Sequence, residues 1–207
     1  SERKVRLHGY YNDHEKLARD AEEFDGNCFL TINRLDPGIP PTNELRRCKT
    51  GACTKAVNIA RRTLLYLDAD PVRPSGNPST DAQHQAAIDL VKSIVGQLPF
   101  PRPLIGSSGN GACAWWKIDL PPDSTLPKRV LKTIKRKWQT PAISIDTTVA
   151  SASRIGRLLG TANYKGGHIG REARILDAPQ RVVTEGVVPP PGVDATPELL
   201  AALQPVV

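Results

Sequence analysis

No run of about 18 apolar residues interrupts this sequence, which excludes a membrane-spanning helix. No basic, then apolar, then small-residue succession follows Ser1, so no secretory signal is read there and a cytoplasmic protein is expected. Cysteine is scarce too. Cys28, Cys48, Cys53 and Cys113 are too few and too scattered for the disulfide framework of a secreted mini-protein, so reduced thiols are expected. Cys48 and Cys53 lie close in sequence, but no second Cys or His pair completes a zinc set, and they read as ordinary loop thiols. His8, His14, His84 and His168 sit in unrelated settings, each reading as a surface residue, His84 on the polar side of a helix. Neither a Ser/His/Asp nor a Cys/His nucleophile is evident, and no His-x-His is present to bind metal beside a nucleophilic tyrosine. Aromatic residues are only 5% of the chain, too few to assign a stacking array; Trp115 is the exposed candidate, while Trp116 and Trp138 read as core.

What is present suits one globular unit. Of 207 residues, 39% are hydrophobic and 24% charged, enough to bury a core. A net charge of +7 favours a polyanionic partner without specifying one.

Local patterns set out the elements. A helix is expected over Glu15 to Phe24 and a short strand over Cys28 to Ile32. Residues 34–62 carry Pro37, Pro40 and Pro41 and read as a basic loop leading into a short helix. In TLLYLDADPVRPSG, residues 63–76, alternation sends Leu65, Leu67 and Ala69 to the core and puts Leu64, Tyr66, Asp68 and Asp70 on the other face. Thr80 and Gln83 make a capping box for a helix with the stripe Ala87, Leu90, Val91, Ile94 and Leu98. LIGSSGNGACAWWKIDL reads as a hairpin around a glycine-rich turn. STLPKRVLKTIKRKW follows as a helix with a basic outer face, and AISID as a short strand ending at Asp146. Beyond RILDAP the chain turns proline-rich, so residues 187–207 read as a linker into a further region and residues 1–186 as the domain.

Two carboxylates sharing the end of a strand repel each other unless something offsets the charge. Asp68, Asp70 and Asp146 all stand at strand ends, and hard oxygen ligands of that kind bind Mg²⁺ or Mn²⁺. A solvated strand end is the plainer alternative. The SSGNG turn, residues 107–111, can aim backbone N–H groups at phosphate, and Arg154, Arg157 and Lys165 stand among small residues.

Taken in order, LLYLDADPVRPSG, TDAQHQAA, SSGNGACAWWKIDLP and SIDTTVASASRIGRLLGTANYKGG resemble the archaeo-eukaryotic primase superfamily, and more narrowly the primase-polymerase domains of phages, plasmids and other mobile elements. The resemblance spans about Arg61 to Leu176. It implies an α+β fold: an RRM-like antiparallel sheet with packed helices, joined to a smaller N-terminal α/β subdomain. It also implies templated joining of NTPs or dNTPs on single-stranded DNA with two Mg²⁺ or Mn²⁺ ions, in the replication of a mobile element or phage, with a fused or associated helicase as a further partner. Asp68, Asp70 and Asp146 would hold the metals; Ser108, Asn110 and Gly111 would line the triphosphate, with Arg154 and Lys165 meeting phosphate. The family's nucleotide-contacting histidine falls at Cys113, which lowers expected nucleotide affinity by about tenfold to a hundredfold. On this reading a histidine at 113 would restore the contact. The alternative is a weakened primase-fold module that binds single-stranded DNA or nucleotides without useful catalysis.

Lys128, Lys132, Lys135 and Arg136 on the basic helix, with Arg157, are the candidate DNA contacts. If they hold template, single-stranded DNA affinity falls steeply as salt is raised, because condensed counterions are released. A salt titration followed by fluorescence anisotropy measures this, and a flat response assigns the helix a solvated face.

Overall fold

The computed structural model describes residues 6–48, 53–165 and 168–179, and the proline-rich linker expected over 187–207 lies outside them. In chain order the elements are β1 (Leu7–His8), α1 (His14–Glu23), β2 (Phe29–Thr31), β3 (Arg34–Leu35), β4 (Arg46–Arg47), β5 (Ile59–Pro71), α2 (Asp81–Gln97), β6 (Leu104–Ser107), β7 (Ala112–Leu120), α3 (Leu126–Trp138), β8 (Ile143–Ile145), β9 (Ile155–Arg157), β10 (Ala162–Lys165), β11 (His168–Glu172) and β12 (Arg174–Asp177). The fold is α+β: a curled antiparallel sheet in the order β12-β6-β7-β5-β3, with β8 also pairing β5. Three two-stranded ribbons, β1/β4, β2/β9 and β10/β11, flank it.

The long β5 is the spine. It pairs with β7 from Arg62 to Ala69 and with β8 from Ala69 to Pro71, so Ala69 stands between Ala112 and Ile145. Its alternation works as the sequence indicates, with Leu65, Leu67 and Ala69 essentially inaccessible to solvent. Against that face α2 packs Ala87, Val91 and Ile94, and α3 packs Val130, Leu131 and Ile134. The α2 start carries the expected reciprocal cap, the Thr80 hydroxyl accepting from Gln83 N and the Gln83 side chain from Thr80 N. The opposite face of the sheet carries Tyr66, Asp68, Asp70, Cys113 and Trp115, with Asp68 directly across from Cys113.

Several local expectations shift. β5 begins at Ile59 rather than Thr63, and the short helix before it is a single 3-10 turn, Ala56–Asn58. The early start is allowed by a β-bulge between Arg62 and Leu64, which lets the strand bend and continue. Cys48 and Cys53, expected as free thiols, are joined by a disulfide; their Cα atoms lie 6.3 Å apart, within bonding range. His84, expected on the polar side of its helix, is buried with Nε2 2.7 Å from Ser107 Oγ. That side of α2 faces the glycine-rich turn instead of water. Among the described residues no helix is long and apolar enough to cross a membrane.

The N-terminal α/β segment is stitched into the rest. β3 extends the central sheet beside β5, and β2 pairs with β9 from the far end of the chain. Asn33 secures this junction: its Oδ1 accepts from Thr63 N at 3.0 Å, the amide exposed by the bulge, while Nδ2 donates to Ala152 O at 2.8 Å. Leu64 N also donates to Oδ1 at 3.3 Å, and Asn33 is buried, so its loss removes a partner from three backbone groups. Asn33→Ala is expected to lower unfolding free energy by about 1–3 kcal/mol, read from the midpoint of urea denaturation with its slope unchanged.

Candidate functional site

A cleft of about 310 Å³ opens on the carboxylate face of the sheet. Its floor is Tyr66, Asp68 and Asp70 from β5; Ser108 and Asn110 enter from the β6–β7 turn, Arg73 from the segment after β5, and Arg154, Arg157 and Lys165 from the chain around β9 and β10. Four of these cationic side chains therefore face two carboxylates.

The β6–β7 turn is held rigidly. Ser108 N donates to Gly111 O, and Ser108 Oγ accepts from Gly111 N, each at 3.0 Å. Gly109 N donates to Ser107 Oγ at 3.0 Å. Glycine is required twice: Gly109 has φ +86°, and a Cβ on Gly111 would collide with the Asp70 carboxylate and stand 2.5 Å from Ala69 O. Close approach of the turn to β5 brings Asn110 beside the carboxylates. Of the backbone N–H groups that the SSGNG turn was expected to aim at phosphate, those of Ser108, Gly109 and Gly111 are used in closing the turn itself.

Side chains supply the open donors instead. Among the described residues, the buried side-chain nitrogens with no hydrogen-bond partner are Arg73 Nη2, Asn110 Nδ2 and Arg154 Nε. All three residues line this cleft. Arg73 is held by two carbonyls, Nε donating to Asn77 O at 3.0 Å and Nη1 to Pro71 O at 2.7 Å, which leaves Nη2 3.8 Å from Asp70 Oδ1. Asn110 Oδ1 accepts from Ser79 N at 2.8 Å, fixing the amide so that Nδ2 remains open. A buried N–H without an acceptor costs free energy comparable to a lost hydrogen bond, so three in one cleft mark a place for an acceptor-rich ligand such as phosphate.

The carboxylates are under the opposite strain. Burial, then the charges of Asp70 and Asp146, push the Asp68 carboxyl up from 3.8 to about 7. Asp146 closes the group from behind, its backbone N–H donating to Asp68 O at 3.0 Å. Its carboxylate is taken up locally: Oδ1 accepts from Thr148 N at 2.7 Å, and Oδ2 accepts from Thr148 Oγ1 at 2.9 Å and Arg154 Nη2 at 3.1 Å. Among the described residues no group of three His, Cys, Asp or Glu is gathered closely enough to hold a metal ion. Asp68 and Asp70 share the cleft floor, while Asp146 is turned toward Arg154.

Cys113 is placed differently from its sequence-based role. It lies beside Asp68 on the carboxylate face but fully buried, its thiol donating to Gly106 O at 3.6 Å and accepting from Trp115 Nε1 at 3.2 Å. Burial pushes the thiol up to about 12, so it stays neutral. It does not line the cleft, and a histidine would enlarge a packed site rather than simply restore a contact. Trp115 is no free stacking surface, since it meets Tyr66 edge-on at 5.2 Å and is covered by Gly156, whose Cβ would stand 3.0 Å from its ring. Lys128, Lys132, Lys135 and Arg136 belong to α3, which packs on the other face of the sheet, so the structure does not bring them to the cleft. Arg157 does line it, burial lowering its pKa.

Sequence reasoning missed Asn27, Phe29, Arg73 and Asn163. Arg73, three residues after Asp70 between two prolines, was the legible one. No family model, curated protein or solved structure matches the chain.

Asp68 also sets a pH dependence. Because its folded pKa lies above the ordinary 3.8, its stabilising contribution is full below about pH 4 and is lost as pH rises through about 7. Asp68→Asn is therefore expected to exceed the wild type in stability at pH 8, with the advantage shrinking at pH 5. Urea denaturation in chelator-containing buffer at the two pH values measures it.

Proposed function

We propose that the chain is a DNA-template-directed nucleotidyltransferase of the archaeo-eukaryotic primase kind, joining NTPs or dNTPs on a single-stranded template in the replication of a phage or other mobile element. One observation carries this reading: adjacent carboxylates on a sheet face share one cleft with three residues that each hold a buried, unpartnered N–H donor, a layout suited to a metal-bound phosphate chain. The order of the Asp68/Asp70, Ser108 to Cys113 and Asp146 segments supports it, as does an antiparallel sheet with helices on one face and the carboxylates on the other, which fits an RRM-like palm.

The donor set fits divalent cations. Asp68 is destabilised as an anion by burial and by two neighbouring carboxylates, and a cation shared with Asp70 would offset that repulsion. Asp68 and Asp70 would hold Mg²⁺ or Mn²⁺, with Asp146 joining on release from Arg154. Bound there, divalent ions supply Lewis-acid activation of the attacking hydroxyl and neutralise charge on the leaving pyrophosphate. The chain's own residues do the rest. Arg73 Nη2, Asn110 Nδ2 and Arg154 would donate to the triphosphate, Lys165 would add charge at its outer end, and Ser108 would keep the turn closed beneath it. The rigid hold on Arg73 and Asn110 means little reorganisation on binding.

A second reading, a primase-fold module that grips nucleotide or single-stranded DNA without catalysis, is favoured by the Arg154 and Thr148 contacts that occupy Asp146. Primer synthesis and extension on single-stranded DNA with Mg²⁺ or Mn²⁺ separates the two. Product is expected from the wild type and none from Asp68→Ala/Asp70→Ala. Equal product from both would sink the metal assignment. No product from either, with DNA binding intact, selects the binding module.

A further inference from the structure

Six large hydrophobic side chains stand exposed among the described residues, and two of them, Phe29 at 48% and Ile155 at 47%, line the same cleft as the carboxylates and open donors. Exposed apolar surface beside so polar a floor calls for an explanation. Phe29 lies on β2 and pairs directly with Arg157 on β9, while Ile155 pairs with Thr31 two residues along. Alternation therefore puts Phe29, Arg157 and Ile155 on one face of the ribbon. The Arg157 guanidinium sits over the Phe29 ring at 4.3 Å and is fixed by donating Nη1 to Asn27 Oδ1 at 2.8 Å. One face of the ring is thus backed by a buried cation, and about half of the residue is exposed.

We infer that Phe29, backed by Arg157 and flanked by Ile155, is the platform on which the base of a bound nucleotide stacks, without selection among the four bases. This rests on the nucleotide reading above and adds the part of the ligand that a phosphate site alone does not specify. A cleft with anion-binding donors at one end and a flat apolar face at the other matches a molecule with a phosphate chain and an aromatic heterocycle. Indifference to base identity follows from the neighbours. Reading a base edge takes free amides or hydroxyls, and the amide next to the ring is already committed: Asn27 Nδ2 donates to Tyr164 O at 2.9 Å, and Asn27 Oδ1 accepts from Arg157 and Tyr164 N. Every base has a π-face, so a phenyl ring whose neighbouring amide is committed accepts them alike. Choice of nucleotide would then fall to the template.

The test compares ATP, GTP, CTP and UTP with inorganic tripolyphosphate, each titrated calorimetrically with Mn²⁺ into the whole chain without DNA. The four nucleotides are expected to bind alike and more tightly than tripolyphosphate. Phe29→Ala should weaken nucleotide binding by about fivefold to a hundredfold while leaving tripolyphosphate binding unchanged, and Phe29→Trp should retain nucleotide affinity. Unchanged tripolyphosphate binding also reports that the variant is folded. Equal weakening of both ligands by Phe29→Ala would show that the ring serves only to hold Arg157 and would overturn the platform. So would no change in either, or a strong preference of the wild type for one base. If the wild type binds neither nucleotide nor tripolyphosphate, the parent nucleotide reading falls, and the platform with it.

Discussion

The pairing of β5 with β7 is the constraint from which the rest of the structure follows. Over the Arg62 to Ala69 stretch it assigns each β5 side chain to one of two environments, and a one-residue slip would exchange them. Leu65, Leu67 and Ala69 bury against α2 and α3, which makes such a slip costly. The carboxylates are therefore held on their face by the hydrophobic residues on the other. The same pairing draws the β6–β7 turn to the end of β5, where Gly111 permits contact with Asp70 that no side chain could tolerate.

Electrostatic strain is concentrated where that spine ends. Asp68 is driven toward its neutral form by burial and by neighbouring carboxylates, while Arg73, Asn110 and Arg154 each hold a buried N–H without an acceptor. Stability alone would favour pairing these groups or replacing them with apolar ones. Opposite kinds of unmet demand in one cleft, excess negative charge on the floor and excess donors on the walls, are both satisfied by a polyanion that carries cations. The hydrogen-bond frame supports this: Arg73 is clamped by Pro71 and Asn77 carbonyls, and Asn110 by Ser79 N–H.

The two faces of the sheet divide the molecule's positive charge. On the cleft side, cations are few, partly buried and individually positioned by partners such as Asn27 and Asp146. On the helix side, α3 presents an exposed basic surface above its buried stripe. Contacts of the first kind suit a defined small ligand, and those of the second suit a diffuse polyanion. The β2/β9 ribbon joins the first group by carrying Phe29 and Arg157 to the rim, so the N-terminal segment contributes to the cleft as well as to the fold.

Alternation and capping are local, and so the sequence by itself determined the register of β5's two faces, the start of α2, the hairpin and the nearness of Asp68 to Asp70. Motif order also pointed to a site shared by distant segments, and Ser108, Asn110, Arg154 and Lys165 do reach the cleft. Tertiary structure alone decided what depends on which segment crosses which. It put β2 beside β9, which brought Phe29 and Arg157 into the cleft; it folded the polar side of α2 onto the glycine-rich turn, which buried His84; and it packed Gly106 and Trp115 around Cys113, which took the thiol out of reach of a ligand. Asp146 shows the limit most sharply. Its place at a strand end was written in the sequence, but the direction of its carboxylate was set by Thr148 and Arg154, partners that only the folded chain brings to it.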